Sequence, residues 1–189
     1  MAITTLNNRA INRSDTAAAD QLWTATSATA TDFQAVSAGK IGQVLQAVKT
    51  DTDSETSTSY ADLPDMTLAI TPSATSSKIL VIVYAGISGS DPDVFTHVQL
   101  VRTTTAIAVG DAASSRTRCS FSWRSKTPQD VPSNSIVYLD SPSSTSAITY
   151  KLQWKQESGT GYINRTGADT DNSTYPRTAS TITLMEVLA

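Results

Sequence analysis

The sequence predicts an all-β protein: an antiparallel, jelly-roll-like β-sandwich over residues 41–189, preceded by an extended N-terminal arm over residues 1–40 with at most one short helix. Three observations carry this expectation. Ser and Thr together make up more than a quarter of the chain; Thr favours strands and Ser favours turns. After Gly42 the apolar residues recur with a period of two, the spacing that lines one face of a strand. About ten such segments alternate with short turn clusters, as in sandwiches rather than parallel sheets.

The arm holds scattered apolar residues (Ile3, Leu6, Ile11, Leu22, Trp23, Phe33) among Ser, Thr, Ala and Asn. Ser14-Asp15 ahead of "TAAADQLW" offers an N-cap for a helix of about two turns, too short to stand alone in water. The arm therefore needs a surface to pack on. In "QVLQAVKT" (43–50), Val44, Gln46 and Val48 share one side, and in "DMTLAIT" (65–71) so do Met66, Leu68 and Ile70. "KILVIVYAG" (78–86) is continuously apolar, the pattern of a strand covered on both faces. "VFTHVQLVR" (94–102) alternates again, with "TAIAV" (105–109) within hairpin distance. The remaining strands are "TRCSFSWRS" (117–125), "SIVYLD" (135–140), "ITYKLQWK" (148–155), "GYINR" (161–165) and "STITLMEV" (180–187). Turns fall at "TPSATSS", "SGSDPD", "GDAAS", "SPSSTS" and "ESGTG".

Composition removes several functions. Net charge is −3 and no long basic run exists, so a nucleic-acid footprint is missing. The longest apolar run, Ile79 to Ile87, is far short of the ~20 residues that span a bilayer, so no membrane insertion is expected. With no secretory signal pattern either, the expectation is a soluble protein made in a cytoplasm. The one cysteine, Cys119 in "TRCSFSW", reads as a small buried residue of a strand.

No catalytic constellation assembles, and no cofactor or metal is expected. His97 sits mid-strand without a second His or Cys at ligand spacing. Asp91 and Asp93 in "SDPDVF" are ordinary turn chemistry, and a calcium loop would need more oxygen ligands nearby. Asp91, Asp93, Glu157 and Asp171 lie in three separate loops, with nothing to bring two of them astride a sugar. The sequons at Asn12, Asn164 and Asn172 are chance matches in a Ser/Thr-rich chain.

The segments "SYADLPDMTLAITPSATSSKILVIVYAGI", "YKLQWKQ", "YINRTGADTDNSTYPRTASTITLMEV" and "NNRAINRSDTA" together resemble small virion proteins of marine and freshwater bacteriophages, a family of tail-fibre-like and head-decoration structural proteins. The likeness covers nearly the whole chain, and "ITPSATSSKILV" with the closing "STITLMEV" is its most specific part. The pattern is also similar to the trimeric jelly rolls of complement globular heads and tumour-necrosis-factor ligands. The resemblance implies a non-enzymatic homotrimer on the virion surface, assembled in the host cytoplasm and contacting the major capsid protein or a tail component.

Two groups of partner residues follow. If Val94, Thr96, Val98 and Leu100 face the core, then Phe95, His97, Gln99 and Val101 face outwards. Phe95 and Val101 are too apolar for a solvated face. Phe95, His97 and Val101 are therefore expected at a subunit interface, a second covering layer such as the arm being the alternative. In the arm, Leu6, Ile11, Leu22, Trp23 and Phe33 are the expected anchors. Arg9 and Arg13 are placed for charge-assisted hydrogen bonds to a partner's carboxylates or carbonyls. The expected role is capsid decoration, as a cement protein or short head fibre. The alternative is a tail fibre whose loops, with Asp91, Asp93, Tyr162 and Tyr175, meet host surface glycans; Trp154 in "KLQWK" reads as a packed strand residue.

Overall fold

The structure is a computed structural model that describes residues 21–25, 31–35 and 40–188. The chain divides into two compact units, residues 1–39 and residues 40–189. In the first, β1 (Gln21–Ala25) and β2 (Thr31–Ala35) pair antiparallel, with Trp23 opposite Phe33 and Leu22 opposite Gln34. The helix expected over 16–23 is thus replaced by a strand over residues 21–23, and residues 16–20 lie outside the described residues. "LWTA" and "TDFQ" are rich in Thr and aromatics, which favour strands, and a hairpin partner satisfies the backbone that a two-turn helix leaves half unpaired. Leu6, Arg9, Ile11 and Arg13 also lie outside the described residues.

The second unit is all-β among the described residues. Its strands are β3 (Ile41–Lys49), β4 (Asp53–Glu55), β5 (Ala61–Ile70), β6 (Lys78–Gly89), β7 (Phe95–Arg102), β8 (Thr105–Ile107), β9 (Phe121–Arg124), β10 (Ser133–Asp140), β11 (Ile148–Gln156), β12 (Gly161–Ile163) and β13 (Ser180–Val187). Every pairing is antiparallel, and two sheets form. One runs β3-β13-β6-β12-β4, with β10 also on β6; the other runs β5-β11-β7-β8, with β9 also on β7. The first half of β6 lies between β10 and β13, and its last residues, Ile87–Gly89, pair with β12.

Strict alternation builds the core between the sheets. β11 buries Ile148, Tyr150, Leu152 and Trp154, and β13 buries Ile182 and Leu184. β5 is less regular. Met66 and Ile70 are buried and Leu68 packs on the core, but Leu63 is buried as well. A β-bulge reconciles these positions: the register jumps from Thr67 to Asp62 opposite Lys151 and Gln153, and Asp65 has φ +58°.

Buried ionic groups tie the body together. Glu186, 2% exposed, accepts from Ser73 N and Ser73 Oγ at 2.6 Å and from Gln43 Nε2 at 2.8 Å. Those donors, the Ser73 hydroxyl foremost, hold its carboxyl down at about 2 despite burial. Asp140 receives both Nη1 contacts of Arg102 (2.9 and 3.0 Å) and the Tyr150 hydroxyl (2.6 Å).

Three expectations are corrected. Cys119 is half-buried in the loop before β9, not in a strand, and burial pushes its thiol pKa up. Of the β7 residues expected to face outwards, Phe95 is exposed, but His97 and Val101 are 8% and 2% exposed. The 108–120 segment crosses that side: Arg118 O accepts from Tyr60 Oη, and Ser115, Arg116 and Thr117 lie beside His97. His97 and Val101 are therefore buried within the single chain, and of the three only Phe95 is exposed on its surface. The continuous apolar run of β6 is covered on both faces only over Ala85–Gly89; towards its start, Leu80 and Ile82 are half-buried and Tyr84 is exposed.

Candidate functional site

Four connections meet at the end of the sandwich where β6 finishes. Ser90 N donates to Thr160 O (2.8 Å), Asp93 N to Ser125 O (2.8 Å) and Ala168 N to Pro128 O (2.9 Å). Two glycines make the approach possible. Gly159 turns "ESGTG" with φ +64°, and a Cβ at Gly167 would collide with the Gly89 carbonyl oxygen.

Asn164 holds the longest of these loops. Fully buried and at φ +61°, it donates from Nδ2 to Lys49 O and Asp51 O, both at 2.9 Å, and accepts from Ser180 Oγ at 2.6 Å. Thr166 is likewise buried, so the Asn164 sequon is inaccessible in the folded chain. Next in sequence, Arg165 lays its guanidinium 3.8 Å above the Tyr162 ring and pairs with Asp169 (2.7 Å), which also pairs with Arg177 (2.6 Å). The result is a row: Tyr162, Arg165, Asp169, Arg177.

Two polar hollows flank this row. One, about 330 Å³, is lined by Thr52, Asp53, Ser54, Tyr162 and Arg165. The other, about 350 Å³, is lined by Asp169, Thr170, Asp171, Asn172, Tyr175 and Arg177. Tyr162 and Tyr175 are thus brought to the same end, one on each hollow, although Tyr162 lies in β12 rather than in a loop. Asp91 and Asp93 line neither; both are exposed, and Asp93 pairs with Arg124. Trp154 is buried in the core.

Asp51, Asp53 and Asp65 bring their carboxylates close enough together to suggest a cation site. The Lys49 ammonium already stands there, at 2.9, 2.7 and 3.3 Å from the three. Burial opposes its charge, but the bonds to Asp53, Asp51 and Asp65 outweigh that and raise its pKa. Asp51 is lowered in turn by its bond from Lys49. This is an ion-pair network with its own cation.

A third hollow, about 350 Å³, lies on the other sheet among Phe95, His97, Ser115, Arg116, Thr117 and Glu157. His97 Nε2 lies 2.9 Å from Glu157 Oε1, and that bond lowers the Glu157 pKa. Glu157 is thus paired with His97 and Asp93 with Arg124, in different places, while Asp171 lines the hollow beside Asp169.

Sequence reasoning gave no role to Arg165, Asp169 or Arg177, and met Asn164 only as a chance sequon. Arg165 and Asp169 are signalled only by their i, i+4 spacing.

No protein-family model matches the chain, and no curated protein matches it in sequence. Among solved structures, it is similar to a structure of infectious bursal disease virus Gx strain at 10% identity and TM-score 0.40, covering 88% of this chain and 41% of that one. It is also similar to the infectious bursal disease virus VP2 subviral particle at 9% identity and TM-score 0.36, covering 87% and 45%. The chain spans less than half the length of these viral chains.

Proposed function

We propose that this chain is a non-enzymatic bacteriophage virion structural protein, displayed on the capsid surface as a decoration protein or short head fibre and anchored by its N-terminal arm. The observation that carries the reading is how its polar chemistry is used. The carboxylates of Asp51, Asp53, Asp65, Glu157, Asp93 and Asp169 are held by Lys49, His97, Arg124, Arg165 and Arg177, and that chemistry ties loops to strands. The sequence resemblance to phage virion proteins supports the same conclusion. One observation favours a second reading, a tail fibre that binds host glycans: Tyr162 and Tyr175 border two polar hollows at one end. Aromatic faces beside hydroxyl and carboxylate groups suit sugars.

Immunogold labelling of purified particles with an antibody against residues 41–189 tests both. Gold spread over heads supports decoration, and gold on tails supports the second reading. Particles that carry no label and no peptide of this chain by mass spectrometry overturn both.

A further inference from the structure

Among the described residues, seven large apolar side chains are exposed, and six of them share one surface. Ile41, Val44 and Val48 on β3, Tyr84 on β6, and Val137 and Leu139 on β10 all point away from the core on the sheet ordered β10-β6-β13-β3. The register makes the surface continuous. Val44, Met185, Leu80 and Leu139 form one cross-strand row, and Gln46, Thr183, Ile82 and Val137 the next. Val137 is 68% exposed.

Two comparisons within the molecule show that this face is built for cover. The first is along β6 itself. Over Gly86–Gly89 its outer side is closed by the chain: a Cβ at Gly86 would collide with Thr178 Oγ1, and Ser88 Oγ donates to Arg165 O. Over Leu80–Tyr84 the same apolar run continues and no described residue closes it. The second is between the two sheets. The outer side of β5-β11-β7 is laced with polar groups, Lys151 and Gln153 both donating to Asp62 and Gln99 to Gln153, as a solvated face should be. The apolar face carries one such bond in its second row, Gln46 Nε2 donating to Thr183 Oγ1, and a charge only at its end, at Lys78.

We infer that this face packs against a second copy of the same chain. A face that meets itself must hold no like charges at its centre, and this one holds none. Four strands about 4.8 Å apart, each about eight residues long at ~3.3 Å per residue, outline roughly 500 Å² of projected surface. With the relief of the side chains, that approaches the ~800 Å² per partner of a stable interface. It also lies towards the upper end of the ~300–600 Å² that the largest apolar patch of an ordinary monomer covers. The inference does not rest on the virion reading, which concerns where the chain is found. It moves the expected subunit contact from β7 to the opposite sheet, and the number of copies is what the experiment counts.

The test is sedimentation of the full-length chain at high micromolar concentration. The wild type is expected at a multiple of 20.0 kDa. Val137→Asp and, separately, Val44→Asp are expected to fall to the single-chain mass with the far-ultraviolet spectrum unchanged, because both side chains are exposed in the single chain. Phe95→Asp, on the other sheet, is expected to leave the mass alone. A monomeric wild type, an assembly that survives both aspartates, or one that Phe95→Asp alone dissociates would overturn the inference.

Discussion

Replacing Asn164 by Ala removes the one side chain that ties the loop carrying Arg165 and Asp169 to two other parts of the sheet. Two N–H donors disappear, leaving Lys49 O and Asp51 O without them, and Ser180 Oγ loses its acceptor. A lost hydrogen bond costs about 1 kcal/mol, and a buried group left unsatisfied costs roughly 1–3. Ala at φ +61° adds about 1 kcal/mol of strain that Asn tolerates better. Allowing for non-additivity, the expected loss is about 3–5 kcal/mol. Asn164→Asp keeps the shape and the tolerance of positive φ but offers no donor at neutral pH, so it is expected to destabilise at least as much. Urea unfolding of the full chain measures both, and hydrogen exchange at residues 49–51 and 178–180 locates the effect. A loss under about 1 kcal/mol for both variants would refute the argument, since that is the cost of one ordinary hydrogen bond.

Other buried groups make separate predictions. The Glu186 carboxyl, with a folded pKa of about 2 against an ordinary 4.5, contributes stability that is fully present above pH 4.5 and lost as pH falls towards 2. Glu186→Gln is expected to cost about 3 kcal/mol at neutral pH, with the gap closing in acid; thermal melts at both ends of that window would show a pH-independent gap if this is wrong. Tyr150→Phe deletes the 2.6 Å bond to Asp140 and is expected to cost about 1–2 kcal/mol. Arg102→Met strands a buried carboxylate and is expected to cost about 3–5 kcal/mol. Equal losses for the Tyr150 and Arg102 variants in chemical denaturation would contradict the assignment of charge compensation to Arg102.

What was legible in the sequence follows the range of the forces involved. Alternation is local, so β3, β7, β10, β11 and β13 could be read from residues two apart, as the buried Tyr150, Leu152 and Trp154 illustrate. β4 could not, because "DSE" has no apolar residue and exists as a strand only through its pairing with β12. The covering of His97 depends on a segment that leaves the sheet and returns beside it, which no periodicity encodes. Asn164 was read as a chance sequon because its backbone partners lie 115 and 113 residues away. The two tyrosines were found by residue type, but the Arg165–Asp169–Arg177 row that joins their hollows depends on loops closing on one another.

The continuous apolar run of β6 bears on both the fold and the assembly. A strand facing water on one side would alternate, and β11 does, with Thr149, Lys151, Gln153 and Lys155 between its buried residues. β6 places Leu80, Ile82 and Tyr84 where β11 places its polar set. The same is true of Val137 and Leu139 on β10 and of Val44 and Val48 on β3. Exposed apolar faces of this kind invite uncontrolled association, and this chain keeps one on three strands of a single sheet, β3, β6 and β10, while the other sheet is solvated by charges; that contrast is why we infer a defined contact there. Such a contact leaves the hollows beside Tyr162 and Tyr175 open, because the 164–179 loop already closes β6 beyond Tyr84 and separates them from the apolar rows. Self-association and display of that end are therefore compatible on one chain. The two can be broken independently: the first with Val137→Asp, the second with substitutions at Tyr162 or Tyr175.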